Sequence, residues 1–250
     1  MSRYFLHLAF NGTQYCGWQI QPKVSTVQET LERVLAVFVP DHRGVMGCGR
    51  TDTGVHARNF YAHFETDSEL PAEFVYKMNA VLPRDISVYD CMEVAPDVHA
   101  RFSATRRRYT YHVHFRKNPF LNDFSVFHRT ELDIEAMNKA CATVLGNRDF
   151  TSFSKSQTQV KHNFCELFRA DWQINSEGMV FTVEANRFLR NMVRAMAGTM
   201  FLIGEGKEPP EHMKRVLDAM DRGAAGKSAY PQGLFLDEIT YPQLNGTSNR

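Results

Sequence analysis

The segment Gly47-Cys48-Gly49-Arg50-Thr51-Asp52-Thr53-Gly54 puts three glycines, one arginine and one aspartate into eight residues. Glycines permit positive φ and the close approach of a second backbone or a ligand. A loop of this make can hold a single carboxylate out towards a cleft. Such a carboxylate can act as a covalent nucleophile, provided a cation offsets the desolvation that would protonate it. The plain alternative is a hairpin turn in which Asp52 caps its own backbone. A second cluster runs from Arg101 to Arg116, where Arg101, Arg106, Arg107, Arg108 and Arg116 alternate with Phe102, Tyr109 and Tyr111. The nearest acids, Asp97 and Asp123, lie outside it. Positive charge interleaved with aromatic rings suits phosphates and nucleobases. Lys23, Arg50, His56 and Arg58 could extend that patch, and the polar, basic stretch Ser152 to His162 reads as a loop able to clamp RNA.

These residues must be held by ordered elements. Tyr4 to Phe10 alternates as a strand does, and Ser25 with Gln28 resembles a capping box for a helix whose apolar stripe is Val27, Leu31, Val34, Leu35 and Phe38. Asn59 to Thr66 reads as a strand, Pro71 to Val81 as a helix with Phe74, Val75, Met78 and Leu82 inward, and Ile86 to Val94 as another strand. The order then begins again. Arg108 to Phe115 is a strand, Ile134 to Leu145 a helix, Cys165 to Ile174 and Met179 to Ala185 strands. A long apolar helix from Arg187 to Ile203, a helix from Pro210 to Met220 and a strand from Leu234 to Tyr241 follow. This predicts an α+β chain of two similar halves with mostly antiparallel sheets, residues 1–100 carrying the Asp52 loop and 101–250 the rest. The polar tail from Asn245 to Arg250 is expected to fray.

The chain's 250 residues can bury a core, and its 43% hydrophobic and 23% charged content is ordinary for a globular protein. A net charge of +1 means that any affinity for nucleic acid must rest on local clusters. No apolar run approaches the roughly 18 residues of a membrane span, and no signal peptide is visible, so a cytoplasmic location is expected. Five cysteines without CxxC spacing read as reduced thiols, not as a disulfide framework or a zinc site. His112 and His114 would share one strand face, but no third ligand stands near them, so a polar strand face is the expectation and no metal site.

With the ending Val55-His56-Ala57, the glycine-rich loop resembles the catalytic motif of the TruA family of tRNA pseudouridine synthases. Further blocks match in order: Tyr15-Cys16-Gly17-Trp18-Gln19, Thr26-Val27-Gln28-Glu29, His63-Phe64-Glu65-Thr66 and Asn79-Ala80-Val81-Leu82-Pro83. They continue through His99 to Thr105, Arg107-Arg108-Tyr109-Thr110-Tyr111, Asp149 to Phe153, Met192-Val193-Arg194 and Gly233-Leu234-Phe235-Leu236.

The resemblance implies the pseudouridine synthase fold, with RRM- or ferredoxin-like halves flanking an RNA-binding cleft. It implies isomerisation of uridine in the anticodon stem-loop of tRNA, at tRNA positions 38–40, by a homodimer. It gives Asp52 the role of nucleophile, Arg194 that of its cationic partner, and Tyr109 that of a ring stacked on the target uracil. Leu234 becomes an apolar wall of the base pocket, and Arg50, His56, Arg58, Arg101, Arg107 and Arg108 candidates for RNA contact. Breaking N1–C1′ and rejoining the base through C5 involves no redox change and loses no group, so the reaction requires no cofactor. Thr53, Ala195 and Tyr230-Pro231 depart from the common family pattern, which leaves the substrate range open. Two rivals stand beside this reading: an RNA-binding protein of the same fold without the reaction, and a hydrolase using Asp52. The hydrolase would want a second carboxylate, and the motif offers none.

Overall fold

The computed structural model describes residues 1–155 and 162–244. Most of the Ser152 to His162 stretch, residues 156–161, and the tail 245–250 lie outside the described residues. In chain order the elements are β1 (Ser2–Phe10), α1 (Val27–Phe38), β2 (Met46–Gly47), β3 (His56–Thr66), α2 (Phe74–Val81) and β4 (Ile86–Val94). Then come β5 (Arg106–His114), β6 (Val126–Phe127), α3 (Ile134–Ala142), β7 (Gly146–Asp149), β8 (Phe164–Ile174) and β9 (Gly178–Ala185). The chain closes with α4 (Met192–Gly204), α5 (His212–Ala219) and β10 (Leu234–Thr240).

Two compact units emerge, Met1–Thr105 with Leu236–Arg250, and Arg106–Phe235. The expected division at residue 100 left the C-terminal stretch with the second half. The chain instead returns to the first unit, because β10 lies next to β3 and because the Thr105 amide donates to the Thr240 carbonyl at 2.9 Å. The Tyr241 hydroxyl also donates to the Ala100 carbonyl.

In the first unit the strands run β4-β1-β3-β10, with β2 paired to β3. β1 pairs antiparallel with both β3 and β4. Leu6, Leu8 and Phe10 are buried from β1, as are Val27, Leu31, Val34 and Leu35 from α1, whereas Phe38 is only half-buried. The cap of α1 is Thr26, not Ser25: its hydroxyl accepts from the Glu29 amide at 3.3 Å. Thr26 has extended backbone angles, as an N-cap requires. α2 starts at Phe74, three residues later than the apolar spacing suggests, because Glu73 takes a left-handed conformation. Val75 is half-buried while Phe74, Met78 and Leu82 are inward as expected.

In the second unit the order is β5-β9-β8-β7, all antiparallel, with β6 added parallel to β5. Tyr109, Tyr111 and Val113 of β5 are buried on one face, as period-2 alternation requires. α4 begins at Met192, not at Arg187. Asn191 sits at φ 68°, which ends any helix arriving from before it, and the Arg190 carbonyl is taken by the Lys155 amide at 3.0 Å. The stretch before α4 is thus bound sideways into the unit and not coiled.

Candidate active site

Asp52 lies half-buried on a loop of the first unit whose backbone is gripped by the segment after β1. The Trp18 amide donates to the Thr51 carbonyl at 3.4 Å and the Gly54 amide to the Tyr15 carbonyl at 3.2 Å. The Val55 amide closes a turn onto the Asp52 carbonyl at 3.1 Å, with Gly54 third in that turn at φ 75°. A residue with a Cβ is strained there, and the pattern is that of a type II turn. Gly12 approaches so closely that a Cβ on it would stand 2.0 Å from the Val55 carbonyl oxygen. The Tyr15 hydroxyl, itself donating to Asp85 at 2.7 Å, anchors the gripping segment from behind. The carboxylate therefore rides on backbone with little freedom of its own, which favours holding a nucleophile in one geometry.

His56 occupies a different post from the one its charge suggested. It is buried, and its Nδ1 accepts from the Gly12 amide at 3.1 Å, so its ring braces the loop. That acceptor role requires the proton on the other nitrogen, a neutral tautomer. Arg58 is exposed and paired with Asp237 at 2.7 Å. Arg50 is exposed.

The second unit holds Tyr109, Arg194 and Leu234. Tyr109 is almost wholly buried on β5, its ring edge-on to Phe188 at 5.1 Å. Arg194 is half-exposed near the start of α4, most of whose residues are buried. Its Nε donates to the Ala229 carbonyl at 2.8 Å, while the Ala229 amide donates to the Arg194 carbonyl at 2.9 Å. One residue further on, the Tyr111 hydroxyl donates to the Tyr230 carbonyl at 2.8 Å. Burial pushes the Tyr111 phenol well above its ordinary range, with the Arg194 charge pulling the other way, so Tyr111 is a permanent donor here. Together Arg194 and Tyr111 fix the strand entry at Pro231–Gly233, and with it the buried Leu234.

The basic stretch is less unopposed than its sequence suggests. Arg106 pairs with Glu184 of β9 at 2.8 Å and lies 4.2 Å from the centre of the Phe168 ring. Arg107 donates to the Asn186 carbonyl at 2.8 Å, a structural bond. Arg101 is exposed, its guanidinium 5.5 Å from the Phe102 ring. Arg108 is half-exposed on β5 opposite Glu184 of β9. His114 turns inward, its Nδ1 3.0 Å from the Ser125 hydroxyl, while the neighbouring His112 stacks edge-on to Phe235 at 5.2 Å.

Sequence reasoning passed over three parts of this arrangement: the grip of Gly12 to Trp18 on the loop, the bracing role of His56, and the carbonyls of Ala229 and Tyr230. The Tyr15 to Gln19 block was visible as a match, but its purpose was not. Backbone carbonyls leave no residue-type signal at all.

The first unit thus holds a carboxylate on a pinned loop, and the second holds an arginine, a tyrosine and a leucine, each fixed within its own unit. The sequence model of a family described as tRNA pseudouridine synthase matches residues 140–242. Over nearly its whole length the chain is 44% identical, across 246 residues, to the tRNA pseudouridine synthase A of Parabacteroides distasonis, covering 97% of each chain. It is 45% identical to that of Bacteroides fragilis, covering 97% of this chain and 98% of the relative. For Bacteroides thetaiotaomicron the identity is 47%, over 97% and 92% of the two chains. This chain belongs to the tRNA pseudouridine synthase A family.

Proposed function

We propose that the protein isomerises uridine to pseudouridine in the anticodon arm of tRNA, with Asp52 as the nucleophile. The observation that carries this reading is the Asp52 loop, a half-buried carboxylate on a backbone pinned by the Tyr15 carbonyl and the Trp18 amide. Asp52 bonds covalently to the target nucleotide, the N1–C1′ bond breaks, the base turns, C5 bonds to C1′, and the bond to Asp52 breaks again. C5 gives up its proton and N1 takes one up, so the product is an isomer of the substrate. Arg194 takes the role of the cation that pairs with Asp52, and Tyr109 that of the aromatic ring on the uracil. Leu234 supplies apolar wall, which suits a site that must keep water from a detached base. The target base must leave its stack to reach a carboxylate, at a cost of a few kcal/mol that backbone contacts and stacking offset.

By resemblance the targets are tRNA positions 38–40, the working form is a homodimer, and the location is cytoplasmic. Among the described residues no helix is long and apolar enough to cross a membrane.

The test is release of tritium from C5-labelled uridine in tRNA transcripts, comparing the parent with Asp52→Asn. The parent is expected to release tritium and the variant to be slower by several orders of magnitude, as removal of a covalent nucleophile requires. Equal rates would remove Asp52 from the role. Free uracil as product would point to a hydrolase, and tRNA binding without product to a non-catalytic relative of this fold.

A further inference from the structure

Tyr230 combines a strongly exposed side chain with a firmly held backbone. Its side chain is 71% exposed. The chain on either side of it lies flat against α4 and β5. The Gly226 amide donates to the Thr199 hydroxyl at 2.9 Å, and the Ser228 hydroxyl accepts from Asn191 at 2.6 Å and from Arg222 at 2.9 Å. Ala229 exchanges two hydrogen bonds with Arg194, and the Tyr230 carbonyl is held by Tyr111. The seat is close: a Cβ on Gly198 would stand 1.8 Å from the Lys227 carbonyl oxygen, and one on Gly233 2.7 Å from that of His112. Pro231 then stiffens the exit into a short 3-10 turn.

A ring presented in this way has already lost its backbone freedom, so a partner need only fix two side-chain torsions. The surroundings say what kind of partner fits. Lys227 and Arg190 are exposed close by in the same framework, and no acidic residue occurs from Arg222 to Leu236. Positive charge around an open π-face suits a nucleobase with its phosphate and disfavours an acidic or purely apolar partner.

We propose that Tyr230 is a stacking platform for an unpaired base of the bound RNA, other than the target uridine. Its backbone is held by the same Arg194 and Tyr111 that order the site. The inference rests on the pseudouridine synthase reading. It makes Tyr230 a specificity residue: it stabilises RNAs that offer a free base at that distance from the target, and acts on affinity rather than on the chemical step.

The experiment measures the affinity of a tRNA transcript by fluorescence anisotropy and kcat and KM by tritium release, for the parent, Tyr230→Ala and Tyr230→Phe. Loss of one base stack predicts a rise in Kd and KM of about fivefold to a hundredfold for Tyr230→Ala, with kcat within about twofold. Thermal stability is expected to stay at the parent value, since the side chain packs on little. Tyr230→Phe should bind as the parent does, because the ring and not the hydroxyl makes the stack. A Kd for Tyr230→Ala within about twofold of the parent would overturn the proposal, as would Tyr230→Phe binding as weakly as Tyr230→Ala. The two readings separate cleanly. A parent that binds tRNA but releases no tritium defeats the isomerase assignment, and the ratio of affinities still decides the stack.

Discussion

Gly17 lies beneath the Thr51 carbonyl: at φ 84°, a Cβ on it would sit 2.3 Å from that oxygen. The residue before the proposed nucleophile and the turn that grips it are therefore packed backbone to backbone. Gly17→Ala must both strain the left-handed conformation and push Thr51 away. The strain alone costs roughly 1–2 kcal/mol, and the clash adds to it. The expected result is a lower urea midpoint with unchanged slope and a loss of tritium release of more than about tenfold, larger than the stability loss explains, because Asp52 moves with Thr51. A variant with parental rates would show that the loop does not depend on this contact.

Thr51 carries a second signature. Its hydroxyl is buried and has no hydrogen-bond partner among the described residues. An unpaired buried hydroxyl costs about 1–3 kcal/mol. Thr51→Val keeps the shape and removes the polar atom, so the folded state should gain on the order of 1 kcal/mol, read as a higher urea midpoint. A destabilised Thr51→Val would show that the hydroxyl is satisfied in solution.

His63 gives the first unit a pH dependence. Burial, then the neighbouring His99 and Arg3 charges, push its pKa down to about 4, against a partial upward pull from Glu65. Its Nδ1 accepts from the Ala100 amide at 3.1 Å, a bond that only the unprotonated nitrogen can make. The unfolded chain, with an ordinary His pKa of about 6.5, binds a proton more readily across this window. Stability should therefore be full above pH ~6.5 and fall on acidification towards pH ~4, by on the order of 2 kcal/mol. His99, also pushed down chiefly by burial, acts in the same direction. Urea unfolding at stepped pH measures the slope, and His63→Gln should flatten it. An unaltered slope would place the dependence elsewhere.

The arginines are expected to divide into structural and RNA-binding ones. Arg107→Ala removes the bond to the Asn186 carbonyl and is expected to cost stability of about 1 kcal/mol. Arg101→Ala, at an exposed position, should leave stability unchanged and lower the slope of log K against log salt for tRNA by about 0.7–0.9, the value of one phosphate contact. Urea unfolding measures the first and filter binding at several salt concentrations the second, and an unchanged slope for Arg101→Ala would take it off the RNA.

Most strands, and every α-helix among the described residues, were legible in the sequence, because period-2 and period-3.6 burial follow from local geometry. β4 matches its expected bounds at both ends. The late starts of α2 and α4 share a cause. Glu73 and Asn191 adopt left-handed backbone, and neither is a glycine that would announce it. Ser25 and Thr26 are both good caps, and only the backbone angles choose between them.

By itself the sequence determined the α+β order of elements and the membership of a family, and it singled out the loop proposed to carry the chemistry. Residue types in order are enough for those. The tertiary structure alone decided which charges are already engaged and which backbone groups hold the site. Arg58 meets Asp237 from 179 residues away, and Arg106 meets Glu184 from 78. Such partners come together only when strands far apart in sequence pair in register. The carbonyls that seat Arg194 and Tyr111 belong to the peptide unit, which every residue shares, so only folding could single them out.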